Sequence, residues 1–136
     1  LMAENNWEFA KKWAKGANKI APTLVGGSKK HGGPDLGPVR ARNAWTELGV
    51  DGRGVANTAP ERDFEGMPRL TSRMMARIQG FPDTWTFGEK KTAACRMIGN
   101  AFPPPVAKAV GEKIKECLEY EGINSGSTES LLREIV

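Results

Sequence analysis

Few residues in this chain have the type and spacing to do chemistry. The only thiols are Cys95 and Cys117, too few for a disulfide framework or a zinc set. Cys95 follows Ala94 on a stretch patterned as a helix, and Cys117 falls in an apolar helical row. Neither has the electropositive setting that makes a thiolate. His31 is the sole imidazole, so a histidine-rich metal site is out and no metal is expected. What remains is chemistry of holding rather than of bond-making. Gly99-Asn100-Ala101 is a small-residue loop feeding a helix N-terminus, where a ligand can come close to the backbone. The glycine-dense stretch from Gly26 to Pro34 offers amide donors, the hydroxyl of Ser28, the ammonium groups of Lys29 and Lys30 and the ring of His31, with almost nothing bulky and apolar to form core. An NTPase phosphate loop is excluded, because no Gly-Lys-Ser or Gly-Lys-Thr follows at the required gap.

The charge distribution agrees with a holding role. The chain has 136 residues, with 20 Lys and Arg against 16 Asp and Glu, a net charge of +4. The excess is concentrated: Lys11, Lys12, Lys15, Lys19, Lys29, Lys30, Arg40 and Arg42 face the single acid Asp35 between positions 11 and 42. That is the footprint of a surface meeting phosphates; a solvated helix face with a lysine-rich loop is the plainer alternative. The length suits one small domain or part of a larger one. No apolar run reaches membrane-spanning length and Leu1-Met2-Ala3 opens no signal peptide, so a reducing cytoplasm is expected.

The elements that must position these groups follow from hydrophobic period and breakers. Asn6 to Ala17 puts Trp7, Phe9, Ala10, Trp13 and Ala17 on one face and Lys11, Lys12 and Lys15 on the other, an amphipathic helix ending near Gly16. Ala21-Pro22-Thr23-Leu24-Val25 suits a short strand. Val39 to Leu48, with Ala41, Ala44, Trp45 and Leu48 at helical spacing, predicts a helix closed by Gly49. Asn57 to Gly66 reads as a linker. Thr71 can cap a helix carrying Met74, Met75 and Ile78, with Gly80 as its left-handed terminator. Asp83-Thr84-Trp85-Thr86-Phe87 alternates like an extended piece, and Lys90 to Ile98 reads as a helix stopped at Gly99. Pro103 to Pro105 suit the first turn of a further helix whose face is Val106, Val110, Ile114, Cys117 and Leu118. Gly122 to Ser127 reads as a flexible break, after which Ser127 or Thr128 can cap a last helix with Leu131, Leu132 and Ile135.

Two stretches are spelled more specifically than that. Arg69-Leu70-Thr71-Ser72-Arg73-Met74-Met75-Ala76-Arg77-Ile78-Gln79-Gly80-Phe81-Pro82-Asp83 and Cys95-Arg96-Met97-Ile98-Gly99-Asn100-Ala101-Phe102-Pro103-Pro104-Pro105 resemble the last two motifs of the DNA cytosine-5 methyltransferases. The family writes the first as Arg-Leu-Thr-x-Arg-Glu-x-Ala-Arg-Leu-Gln-Gly-Phe-Pro-Asp and the second as Gln-x-Gly-Asn-Ala-Val-Pro-Pro. Met74 stands for the usual Glu, Met97 for Gln and Phe102 for Val. Loss of the Glu puts its salt bridge in doubt but not the helix, since Met is a good helix former.

The resemblance implies a target recognition region before the first motif, and Thr23-Leu24 is similar to the Thr-Leu pair common in such regions. By that analogy Thr23, Ser28, Lys29, Lys30, His31, Arg40 and Arg42 meet double-stranded DNA, with lysines on phosphates and other donors on base edges. Asn100 and Ala101 would touch S-adenosylmethionine and Phe102 would wall its pocket. Arg69, Arg73 and Arg77 would support the recognition region on a catalytic domain. Methylation at C5 needs a thiolate adding at C6 and extrusion of the base. The family's Pro-Cys, Glu-Asn-Val and glycine-rich cofactor motifs are absent from this sequence, so no catalytic residue is expected here and the chain alone is expected to be inactive. The expected class is α+β, mixed: a recognition region with short strands and loops over 1–67, closing motifs and helices over 68–121 that would pack on a missing α/β catalytic domain, and a break with a terminal helix over 122–136. The implied protein is the C-terminal part of a bacterial, nucleoid-associated cytoplasmic methyltransferase, a split subunit or a truncated copy, partnered by the catalytic part. A stand-alone basic DNA-binding module is the alternative.

Overall fold

The computed structural model describes residues 1–25 and 34–133, with side chains through residue 120. The chain forms two units, Leu1–Ala101 and Phe102–Val136. Regular structure is helical: α1 (Ala10–Gly16), α2 (Val39–Thr46), α3 (Ser72–Gln79) and α4 (Lys91–Asn100) in the first unit and α5 (Pro104–Arg133) in the second.

The short strands of the expected α+β class are not found among the described residues, where β pairing is confined to one parallel bridge between Ala56 and Thr71. Residues 21–25 have no regular structure. Pro22 offers no amide to a ladder, and only Leu24 enters the core. Single hydrogen bonds between loops take the place of a sheet: the Leu36 amide donates to Gly52 O (3.0 Å), Asp51 to Pro68 O (3.0 Å) and Ala56 to Leu70 O (2.9 Å). The piece expected to be extended at 83–87 begins instead in a turn, with the Trp85 amide on Pro82 O.

α1 is shorter than its amphipathic pattern. Asn6 takes φ +57°, which breaks a helix before it can start, and Trp7 is fixed from the loop by its indole N–H on Phe64 O (2.8 Å). Within α1, Trp13 turns inward and donates from Nε1 to Gly49 O (3.0 Å), while Lys11, Lys12 and Lys15 are exposed. α2 ends as its sequence suggests, with Trp45 and Leu48 buried and Gly49 at φ +67°. Its backbone lies against Gly52, where an added Cβ would stand 3.2 Å from Arg42 Cα.

α3 is closed at both ends. Thr71 Oγ1 accepts the Met74 amide (3.2 Å), and Met74 Sδ accepts the Thr71 amide (3.4 Å). This is a capping box in which a thioether occupies the place of the usual carboxylate. At the other end Gly80, at φ +91°, donates to Arg77 O (3.0 Å) and Phe81 to Ala76 O (2.9 Å), a Schellman closure with Phe81 and Ala76 both buried. α4 runs through Gly99 rather than stopping there. It packs on α3 through Cys95, Ile98 and Met75, all fully buried, with the Cys95 thiol 3.7 Å from Met75 Sδ. Around this pair the core gathers Leu36, Trp45, Val50, Leu70 and Phe81.

The proline-rich start of α5 behaves as its residues predict: the Val106 and Ala107 amides both donate to Pro103 O. The helix continues through 122–127, so the break expected there does not form. Val106, Val110, Ile114, Cys117 and Leu118 do share one face, along which they line a shallow groove with Ala109 and Lys113. That face is exposed rather than buried, Leu118 by 64%.

Candidate functional site

Two places collect the groups singled out above. The first is the junction of the two motifs. Gln79, in the last turn of α3, donates from Nε2 to Ala101 O at 2.7 Å. Because α3 is fixed by its caps and by Met75 against Cys95, this one bond ties the end of α4 to a rigid support. The Ala101 amide donates to Ile98 O, so Ala101 is held from both sides of its peptide. Asn100 is exposed, with no hydrogen-bond partner for its side chain among the described residues. Phe102, in the second unit, is 60% exposed. The exposed Asn100 amide is a group that a ligand with a polar end can use, which fits the cofactor implied by the resemblance.

The buried thiol is not placed for nucleophilic work. Cys95 is wholly buried, and burial pushes its thiol up, away from thiolate. Cys117 is exposed on α5.

The three motif arginines are engaged within the first unit. Arg69 Nε bonds Asp51 Oδ2 (3.0 Å) and lies over Gly54. It thereby joins the first motif to the loop following α2. Asp51 also accepts Arg53 Nε (2.8 Å) and the Arg53 amide (3.1 Å). The Arg53 hydrogen bond is the largest cause holding the Asp51 carboxyl well below the usual carboxylate range. Asp83 is bonded by Arg77, with Nε on Oδ1 at 2.8 Å, and approached by Arg73 Nε at 3.6 Å. Arg77 is the main cause of the lowered Asp83 carboxyl. Beyond Asp83 the chain turns Trp85 and Phe87 onto Phe81, with ring centroids 5.1 and 5.0 Å away.

The second place is the basic region. Ser28, Lys29, Lys30 and His31 lie outside the described residues. Thr23 and Arg40 are exposed. Arg42 is half-buried and leans toward Asp35, with NH1 4.0 Å from Oδ2. Gly37, at φ +107°, brings the segment of Thr23 next to α2: a Cβ there would meet Val25 Cβ at 2.9 Å and Ala41 Cβ at 3.4 Å. Val25, two residues after Thr23, is therefore a neighbour of the first turn of α2.

Sequence reasoning missed Gln79, Asp51 and Asp83 as the partners that hold these motifs. Asp83 has a local signal, six residues after Arg77 in the same motif. Asp51 has none, since it is 18 residues from Arg69. Among the described residues no helix is long and apolar enough to cross a membrane.

Known proteins resemble this chain over most of its length. The sequence profile described as C-5 cytosine-specific DNA methylase matches residues 3–116. The chain is 58% identical over 125 residues to Type II methyltransferase M.NaeI of Lentzea aerocolonigenes, across 90% of this chain and 30% of that protein. It is 49% identical over 124 residues to Type II methyltransferase M.NgoMIV of Neisseria gonorrhoeae, across 89% of this chain and 39% of that one. A shorter match, 53% over 50 residues, reaches DNA (cytosine-5)-methyltransferase PliMCI of Paracentrotus lividus, across 37% of this chain and 3% of that protein. The chain thus spans well under half the length of these relatives. No solved structure matches.

Proposed function

Because the chain belongs to the C-5 cytosine-specific DNA methylase family, we propose that it supplies the target recognition region and the closing segment of a DNA cytosine-5 methyltransferase. The nucleophile and most of the cofactor site come from a catalytic part, joined to it or assembled with it. The observation that carries this reading is the Gln79–Ala101 bond. It couples the two family motifs, so that α3 presents Asn100 and Ala101 as a fixed edge. S-adenosylmethionine supplies the methyl group when bound. This chain contributes the Asn100 amide to one wall of its pocket, and the apolar row of α5 seats on the catalytic part. The recognition region, with Thr23, Arg40, Arg42 and the loop carrying Ser28, Lys29, Lys30 and His31, grips duplex DNA. The chain by itself transfers no methyl group, since its buried thiol is held protonated and its other thiol lies on the row of α5 that seats on the catalytic part.

Binding of S-adenosylmethionine tests the reading. A polypeptide carrying the Pro-Cys, Glu-Asn-Val and glycine-rich motifs should bind it more tightly with this chain than without, and Asn100→Ala should reverse most of the gain. Equal affinity with and without the chain contradicts the pocket assignment.

A further inference from the structure

Most arginines of the first unit are engaged: Arg42 with Asp35, Arg53 and Arg69 with Asp51, Arg62 with Glu8, and Arg73 and Arg77 with Asp83. Arg40 and Arg96 are exposed and have no such partner among the described residues. What sets Arg40 apart is the helix face it stands on. α2 turns Ala41, Trp45 and the following Leu48 toward the protein and leaves Val39, Arg40 and Asn43 outward, Val39 by 62%. Asn43, like Arg40, has no side-chain partner among the described residues, and the first turn of α2 has no acid. An apolar side chain, a guanidinium and an amide therefore stand together on solvent with nothing of their own to bind. The anchoring behind them is firm: Trp45 is 2% exposed, α2 is pressed on Gly52 and Trp13 bonds Gly49 O after its last turn.

Resting on the methyltransferase reading, we propose that this face of α2 enters the major groove and reads the target, with Arg40 on O6 and N7 of a guanine and Asn43 and Val39 on the adjoining base pair. An α-helix, about 10–12 Å across, fits the groove of about 12 Å. Positions 40 and 43 are about 4.5 Å apart along the helix axis, between one and two base steps of about 3.4 Å, so Arg40 and Asn43 address neighbouring pairs. Arg is the commonest reader of guanine, donating two bonds in the plane of the base; Asn can both donate to and accept from a base edge, and an aliphatic group packs on the C5 edge of a pyrimidine. Arg42, turned toward Asp35, and the exposed lysines of α1 meet phosphates, which carry no sequence information.

The test uses the chain assembled with a catalytic part and a set of duplexes in which each pair of the methylated site is changed singly. Arg40→Ala should weaken binding to the site by about 5- to 150-fold, the range for one lost bidentate contact. It should also remove the penalty for replacing one particular guanine. Asn43→Ala, which changes no charge on an exposed position, should do the same at an adjacent pair and leave the salt dependence as it was. Lys15→Gln should weaken all duplexes alike and lower the salt slope by about one phosphate contact. If Arg40→Ala and Asn43→Ala weaken every duplex equally, or none, α2 is not the reading element although the methyltransferase assignment stands. If the unaltered assembly binds no duplex, that assignment fails and this one with it.

Discussion

Gln79→Ala is the perturbation that reaches furthest into the account. The side chain is half-buried and donates one hydrogen bond, at 2.7 Å, to Ala101 O. A bond of this kind is worth about 0.5–1.5 kcal/mol net. Water can reach the freed carbonyl in part, which places the loss near the middle, at about 1 kcal/mol. If the bond serves to fix the Asn100–Ala101 edge, that free energy shows as weaker cofactor binding, a rise of about fivefold in the KM for S-adenosylmethionine of the assembled enzyme. The KM for DNA should stay within about twofold, because α2 and Thr23 do not touch this bond. Gln79→Glu is the sharper version. It is nearly isosteric but puts a carboxylate oxygen against the Ala101 carbonyl, so it should be worse than alanine. Steady-state kinetics with each substrate varied in turn checks both. An unchanged KM for the cofactor in both variants, or a rise confined to DNA, would refute the reasoning.

Other expectations follow from the same contacts. Thr71→Ala removes the oxygen that accepts the Met74 amide and should cost about 1 kcal/mol, a fall of about 4–8 °C in Tm for a unit of this size; Thr71→Ser should restore most of it, and equal melting of the two variants would count against the cap. Asp51 has a carboxyl held below its ordinary range, chiefly by the Arg53 hydrogen bond. Its stabilisation is therefore complete above the unfolded carboxylate value of about 4 and is lost as pH falls toward the lower folded value. Asp51→Asn should cost about 1–2 kcal/mol at neutral pH and flatten the loss of stability below about pH 4, with the slope left by Asp83 remaining. Denaturant titrations at several pH values read this directly, and parallel curves for the two proteins would show that the Arg53–Asp51–Arg69 group adds nothing.

Helix existence was legible in the sequence wherever period and punctuation agreed. α3 is the clearest case, since Thr71, the run from Met74 to Ile78 and Gly80 each do at the backbone what their side chains suggest. The bounds of α1 and α4 were less so. A left-handed Asn6 cuts the first short although Trp7 continues its apolar face, and Gly99 stays inside the second because tight packing of Cys95 and Ile98 on α3 outweighs the cost of one glycine, about 1 kcal/mol. The short apolar run ending at Val25 suits a strand, but pairing is a property of two segments and none of the described ones takes it up. The face of α5 forms the row its spacing suggests and is exposed in this chain, because burial of a helix face depends on a partner rather than on pattern. Asn100 and Ala101 stand out in the sequence through spelling, whereas Gln79 does not, because a link between residues 22 apart leaves no local trace.

The central claim is that this chain completes an active site whose reactive sulfur belongs elsewhere. Transfer of labelled methyl groups from S-adenosylmethionine to duplex DNA, measured for the chain, for a polypeptide bearing the missing motifs and for the two together, tests it most directly. Transfer in the combined sample alone, at C5 of cytosine, is the expected result; transfer by the isolated chain, or none by a combined sample in which the two polypeptides form a stable complex, would contradict it.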